Sequence, residues 1–425
     1  MKVSCLTLLA AWSVIGLCHG IPNSIIGPIF QANSPLNGQD LDDQLLAAAF
    51  WDGEQDLPGD WNEEGAIGGS QLSHLLARPR LFGQEVLMLR ATRRDDRLAQ
   101  LEATFVDAGS YFGYFDEELP KGLSRRELEE VMRERLAMKQ ADFESEYEDT
   151  IAGLRESIAE VADKAKPKTR RFGHGRLLRA EPEEWTKDGL SIRLFIADQR
   201  LVRVVLSREG EESDGWLDPA VDELSERDRL ERLSATVREE GGKVIIDGIQ
   251  IVPQGYKPYC GLNTLAMAAR HFGLHLDEDW MAAAAGFQNT GSAGGSNMVK
   301  LYHAVAAEAG LSLDRSSKFD ESGVIRALER GMPVVVWRRF APERNRLHQR
   351  TAREPEFRLP EPGSAGERAS WPGDDAPLHA SVITGYNAGT GEVHFLESWN
   401  KQGETRRMRI EEMAATSYLC FVFKP

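Results

Sequence analysis

Near Lys243 the chain changes character, and that break sets how many units it can fold into. Residues 208–240 are dense in Glu and Arg and read as a linker helix. Beyond them come the short apolar runs Val244-Ile245-Ile246 and Ile249-Gln250-Ile251, a loop bounded by Pro253 and Pro258, and an Ala-rich stretch. At 425 residues the chain has room for two or three domains that each bury a core. It divides into a leading segment (1–20), a partly ordered lead-in (21–79), a small α+β domain (80–240) and a second α+β domain (241–425). No internal repeat is present.

In the second domain, Leu262, Leu265, Ala266, Ala269 and Phe272 recur at helical spacing, which predicts a helix from Cys260 to Phe272 ended by Gly273. Further helices are predicted at 277–285, 296–309 and 322–330. Strands follow at 333–337, 380–386, 392–397 and 418–423. The polar, Pro-rich stretch 338–375 reads as a long insertion loop.

The first domain is less explicit. In the lead-in, a helix is predicted over 40–50 with Asp40 as its N-cap, and another over 70–76. Trp51 and Trp61 are candidates for packing on a neighbouring unit. Strands are predicted at 85–90 and 99–106. Ser124 with Glu127 three residues on forms a capping box. It opens a long helix whose apolar stripe runs Leu128, Val131, Met132, Leu136, Phe143, Tyr147, Ile151, Leu154, Ile158. Strands 191–197 and 201–206 are joined by the turn Asp198-Gln199-Arg200. The charges on the long helix read as a solvated face, and no catalytic constellation is visible in this half.

The formal net charge of -16 argues against a nucleic-acid partner, since phosphate would be repelled by most of the surface. Lys2 followed by the apolar stretch Val3–Leu17 reads as a secretory signal cut near Gly20, with a membrane anchor as the alternative. The expected location is therefore periplasmic or extracellular, with no membrane span after signal removal. Cys5 and Cys18 fall in that signal, which leaves Cys260 and Cys420. Either these two pair, or at least one is a free thiol kept for its reactivity. Cys420, between Leu419 and Phe421, reads as core.

A cysteine at the first turn of a helix sits where exposed N–H groups and the helix dipole favour the thiolate. Its own N–H and the side-chain amide of Gln254, six residues earlier, would supply donors to an oxyanion. His379, just before a strand, would take the thiol proton and later pass it to a leaving amine. Glu397, at the end of the next strand, would fix the imidazole, with Asn400 as the competing assignment. The competing readings are a small buried cysteine for Cys260, a core histidine for His379, a loop cap for Gln254 and a rim ion pair for Glu397. His271 and His275 lie near Asp277 and Asp279, but Gly273 breaks the helix between the histidines and no His-Glu-x-x-His pattern is present. Gly291–Gly295 lacks the Lys-Ser/Thr of a phosphate loop. No metal and no cofactor are expected. His303, His348 and His394 have no nameable partner.

The order Gln254, Cys260-Gly261, His379, Glu397-Ser398-Trp399 resembles the papain-like cysteine peptidases, most of all the bacterial C39-like branch, over roughly residues 245–423. That resemblance implies an α+β, two-lobed fold with a helical lobe and an antiparallel β lobe. It also implies hydrolysis of peptide or isopeptide bonds through an acyl-enzyme, with a peptide or protein as substrate. Gln254 would be the oxyanion donor, Cys260 the nucleophile, His379 the base and Glu397 the orienting group. Two positions depart from the pattern: Gly261 stands where papain has an aromatic residue, and the third member is Glu rather than Asn or Asp. An inactive papain-like scaffold and a Cys-dependent acyltransferase are the other functional readings. The sequence leaves the oligomeric state open.

Overall fold

The computed structural model describes residues 34–53, 58–113, 124–255, 257–287, 295–399 and 404–425. The expected signal peptide, the start of the lead-in and Asn400 lie outside the described residues. The architecture is mixed α+β, with two large antiparallel sheets.

The described residues before 210 hold ten strands: β1 (Asn62–Ile67), β2 (Ser70–Leu75), β3 (Arg80–Leu81), β4 (Gln84–Glu85), β5 (Met88–Arg94), β6 (Arg97–Asp107), β7 (Lys168–Thr169), β8 (Glu183–Lys187), β9 (Leu190–Ala197) and β10 (Leu201–Arg208). Eight of them form one sheet in the order β1-β2-β5-β6-β10-β9-β8-β7, and β3 pairs β4 as a separate ribbon. The β9–β10 hairpin turns at Gln199, whose φ of 47° supplies the left-handed step the turn needs. The capping box forms as the sequence predicts: the Ser124 N–H donates to Glu127 Oε2 (2.7 Å) and Ser124 Oγ accepts from the Glu127 N–H (3.4 Å). It opens a 37-residue helix, Arg125–Val161. Phe143, Tyr147, Ile151, Leu154 and Ile158 are buried by this helix, whereas Leu128, Val131, Met132 and Leu136 remain half-buried.

Two lead-in expectations are corrected. The stretch 70–76 is strand β2, because a turn through Gly68 (φ 59°) folds it back on β1, with Ile67 opposite Ser70. The helix expected over 40–50 is two short ones, Asp42–Leu45 and Ala48–Trp51, because Ala47 takes an extended conformation (ψ 134°) between them. Asp40 caps neither by the expected route, although its carboxylate accepts from the Asp42 N–H at 3.0 Å.

The second sheet comprises β11 (Val237–Glu240), β12 (Lys243–Ile246), β13 (Ser312–Ser316), β14 (Val334–Arg339), β15 (Leu378–Asn387), β16 (Glu392–Leu396), β17 (Arg406–Arg409) and β18 (Ser417–Lys424). Its order is β11-β12-β15-β14-β18-β13, with β16 bridging β15 and β17. The Cys260–Phe272 helix packs over β14 and β15. It stops at Gly273, whose φ of 98° is a left-handed C-cap. The helices predicted from 277, 296 and 322 are present as Glu278–Ala284, Gly295–Glu308 and Glu321–Leu328.

The 338–375 stretch is not one loop. It carries the helices Pro342–Arg353 and Ala365–Ala369. They are fixed by polar partners far away in sequence: Arg344 forms a buried pair with Glu412, His348 Nε2 lies 3.2 Å from Glu412, and Arg407 and Arg409 donate to the carbonyls of Phe357 (2.7 Å) and Leu359 (3.0 Å). His348 thus has a partner that its sequence neighbourhood does not reveal.

The first sheet is buried on both faces. In β9 and β10, Ile192, Leu194, Val202, Val204 and Leu206 join the core beneath the long helix. Phe195, Ala197, Leu201 and Val205 face the other way, into a core shared with Trp216, Trp280 and the Cys260 helix. Trp280 lies 6.1 Å from Phe195 and 5.4 Å from Trp216, ring to ring. Each such large side chain contributes roughly 1.5–3 kcal/mol on burial. The segment expected as a linker, 208–240, holds two short helices and β11 laid against this common core rather than a spacer. Buried charge follows the same seam. Glu64 on β1 meets Arg90 (3.1 Å) and Arg270 (2.8 Å), and Arg203 on β10 meets Glu102 (3.1 Å) and Asp277.

A continuous core predicts that both sheets melt together. Far-ultraviolet circular dichroism and tryptophan fluorescence are expected to follow one coincident urea transition, and two separated transitions would disprove the shared core. Glu64→Gln, which takes the carboxylate from Arg270 and leaves Arg90 with Glu102 alone, is expected to cost about 3–5 kcal/mol in the same assay.

Candidate active site

The site is assembled where the Cys260 helix meets β15 and the chain just past β16. Cys260 is the first residue of its helix and is partly exposed. Cys420, on β18, is buried among apolar neighbours, and burial pushes its thiol up to about 12. Both thiols are free, so the disulfide alternative is not realised.

His379 enters β15 opposite Arg338 of β14, which turns its ring toward the start of the Cys260 helix. Its Nε2 lies 2.6 Å from Glu397 Oε2. The Cys260 thiol and the ring also act on each other: His379 lowers the pKa of the thiol, and the thiol raises that of the imidazole. Cys260, His379 and Glu397 therefore form one chain of contacts, in the order the sequence suggests.

Gln254 lies on the loop that leads into the helix and is buried. Its N–H donates to the Ser398 carbonyl (2.8 Å), and its Oε1 accepts from Ser398 Oγ (2.7 Å). The Gln254 amide oxygen is thereby fixed by Ser398. Ser398 follows Glu397 directly, so one short segment, 397–398, holds both the imidazole and the loop before the nucleophile helix. Asn400 lies outside the described residues, and Glu397 occupies the position beside the ring.

Three polar residues at the site have no role in the sequence reading, although Ser398 stands in its Glu397-Ser398-Trp399 run. Arg338 Nη2 donates to Glu397 Oε1 (2.7 Å), and its Nε donates to Ser381 Oγ (2.9 Å). Ser381 Oγ lies 3.0 and 3.1 Å from the two Glu397 oxygens. Ser398 completes the set through Gln254. Signals existed for two of them: Ser381 is two residues beyond His379 and so shares its face of the strand, and Arg338 closes an otherwise apolar run, Val334-Val335-Val336-Trp337. The Trp399 ring sits 4.5 Å from that of His379, and Phe340 flanks both at 5.6 and 5.2 Å. These rings shield the imidazole–carboxylate hydrogen bond from water.

The electrostatics follow from this packing. Burial alone would push the Glu397 carboxyl up, but His379, Arg338 and the more distant Arg406 hold it down at about 2. Burial would strip the proton from His379, yet Glu397 and the thiol keep it, pushing the imidazole up to about 9. Burial also opposes a thiolate at Cys260. The His379 hydrogen bond and charge override it, aided by the backbone N–H groups of Ala380 and Gly261, and the thiol lies below its ordinary value. A thiolate–imidazolium pair is thus favoured between the two titrations.

The other histidines serve elsewhere. His271 Nε2 is bound at the Gly331 carbonyl (2.8 Å) and His275 Nε2 at Asp218 (2.8 Å), so the four-residue spacing does not bring them to one ligand. Among the described residues no group of three His, Cys, Asp or Glu side chains is placed to hold a metal.

The family model described as Peptidase_C39 like family matches residues 246–423. This match is consistent with a C39-like C-terminal domain. A solved structure described as a C39-like peptidase from Bacillus anthracis is similar at 14% identity, covering 43% of this chain and 98% of that one, with a TM-score of 0.28. No curated protein matches the chain.

The ionisation scheme has a direct readout in the rate of Cys260 alkylation by iodoacetamide against pH. The midpoint is expected below the ordinary thiol range. In His379→Ala it should move up, because burial is then opposed only by the Ala380 and Gly261 N–H groups, and an unmoved midpoint would refute the pairing. In Glu397→Gln the imidazole should titrate below 9, as read by its NMR shift.

Proposed function

We propose that the protein is an exported cysteine peptidase that hydrolyses peptide or isopeptide bonds through an acyl-enzyme. The observation that carries this reading is an imidazole held 2.6 Å from a buried carboxylate, acting on a thiol at the first turn of a helix to lower its pKa. Export rests on the Lys2 to Gly20 stretch; among the described residues no helix is long and apolar enough to cross a membrane.

In this mechanism the Cys260 thiolate adds to the scissile carbonyl. The oxyanion is met by the Cys260 N–H and the Gln254 amide, fixed by Ser398. His379 then donates its proton to the departing amine, leaving an acyl-enzyme. A water, deprotonated by the now neutral His379, hydrolyses the thioester and restores the pair. Glu397 stays ionised throughout and stabilises each imidazolium.

The test is turnover of a peptide library by the full chain against Cys260→Ala. Loss of all cleavage in Cys260→Ala supports the peptidase, and cleavage that survives it refutes the assignment. Transfer of the acyl group to an added amine in preference to water would make the protein an acyltransferase. Selective peptide binding, unchanged in Cys260→Ala and without turnover, would make it a scaffold. For the peptidase, Gln254→Ala is expected to lower kcat about 10²–10³-fold with little change in KM. The rate should rise through the lowered thiol titration and fall as His379 deprotonates near 9.

A further inference from the structure

On one side the Gln254–Cys260 loop faces the first sheet. Between it and the first sheet lies a cavity of about 570 Å³, lined among others by Gln254, Gly255, Lys257, Asp107 and Asp279. What crosses this junction is charge. Lys257 Nζ lies 2.7 Å from Asp107 Oδ2 at the end of β6 and 2.6 Å from Asp279 Oδ2 on the Glu278–Ala284 helix, with Glu278 at 3.9 Å. All four side chains are largely buried. We infer that Lys257 is a positioning residue for the Gln254–Cys260 loop, and that the first sheet, through Asp107, is a built-in part of the active site rather than a removable segment.

This rests on the peptidase reading and deepens it. Lys257 stands midway between the two groups assigned to the oxyanion: three residues after Gln254 and three before Cys260. Its N–H closes a turn onto the Gln254 carbonyl at 2.9 Å, so a shift at Lys257 is transmitted to Gln254 through one hydrogen bond. Asp107 is itself fixed, accepting from the Ser110 N–H (3.2 Å) and Oγ (2.6 Å) and lying opposite Leu201 in the β6–β10 register. The same corner touches the residue before the nucleophile: a methyl group added at Gly109 would fall 2.7 Å from the Tyr259 hydroxyl and 2.9 Å from Lys257 Cδ. Asp279 is held from the first sheet as well, since the N-cap of its helix, Asp277, pairs with Arg203. Lys257 remains charged: burial opposes the ammonium, but Asp107 and Asp279 raise its pKa well above the ordinary range.

The experiment uses the full chain with Lys257→Met and the near-isosteric Asp107→Asn, read three ways. Hydrogen exchange of residues 253–260, followed by mass spectrometry, is expected to quicken about tenfold or more in Lys257→Met and less in Asp107→Asn. On a peptide whose cleavage depends on Cys260, kcat should fall by about 10²-fold with KM within about threefold, as expected when a donor moves by roughly 1 Å. The pH midpoint of Cys260 alkylation should hold, because His379 and Glu397 are carried by the other sheet, and Lys257→Arg should restore part of kcat. Loop exchange equal to wild type in both variants overturns the inference, as does wild-type kcat despite faster exchange. If Lys257→Met does not fold, Asp107→Asn decides by the same criteria. If the wild-type chain cleaves nothing, the peptidase reading falls, while the exchange measurement still decides whether Lys257 holds the loop.

Discussion

A full negative charge inside the second sheet governs the candidate site. The Glu397 carboxylate is buried, and an ion so placed persists only where other groups replace the water it has lost. Here they do: Arg338 contributes the opposite charge, Ser381 a hydroxyl and His379 a ring N–H. Each of these ties fixes a piece of backbone. Arg338 and His379 sit across from one another on β14 and β15, and Ser381 shares the His379 face. Satisfying one carboxylate thereby sets the imidazole plane, and the imidazole in turn sets the ionisation of Cys260.

The first sheet obeys a related constraint. A sheet with both faces apolar must be covered on both, and the 37-residue helix covers only one. The other face is completed by the C-terminal part of the chain, through Phe195, Leu201, Val205 and Trp280. Polar side chains caught in that seam are largely buried, and they pair across it: Glu64 with Arg270, Arg203 with Asp277, Lys257 with Asp107. Such pairs contribute little net stability over apolar packing, but they penalise any other register of the two layers. The 80–240 and 241–425 division read from composition thus marks a change of pattern in the chain rather than a gap in the structure.

What the sequence disclosed depended on whether the signal was local. The Cys260 helix, with its Ala-rich face and Gly273 stop, the Ser124–Glu127 capping box, and the order of Gln254, Cys260, His379 and Glu397 were all legible, because each is written within a few residues or in a recognisable sequence order. Strand β2 was not, since Ser70–Leu75 becomes a strand only by pairing with β1 and β5. The helices within 338–375 were hidden for the same reason: Arg344 and His348 look solvated until Glu412, more than sixty residues on, supplies their charge partner. Arg338 reads as the polar end of a strand, and only the fold brings Glu397 to it. Lys257, in a loop of ordinary polar composition, carries no sign that Asp107 lies opposite.

The glutamate at position 397, where the family resemblance leads one to look for Asn or Asp, is explained by charge balance. With a neutral amide in that place, a thiolate and an imidazolium already sum to zero, and no further ion is needed. A carboxylate adds one negative charge to a buried cluster, which then requires a buried cation. Arg338 is that cation, and it reaches Glu397 at 2.7 Å from the neighbouring strand. The consequence is functional as well as structural, because a carboxylate beside the ring raises the imidazole pKa further than an amide dipole does. The thiolate–imidazolium form is thereby kept to higher pH. Glu397 and Arg338 belong together, and the glutamate side chain reaches from the end of β16 to His379 and Ser381 on β15.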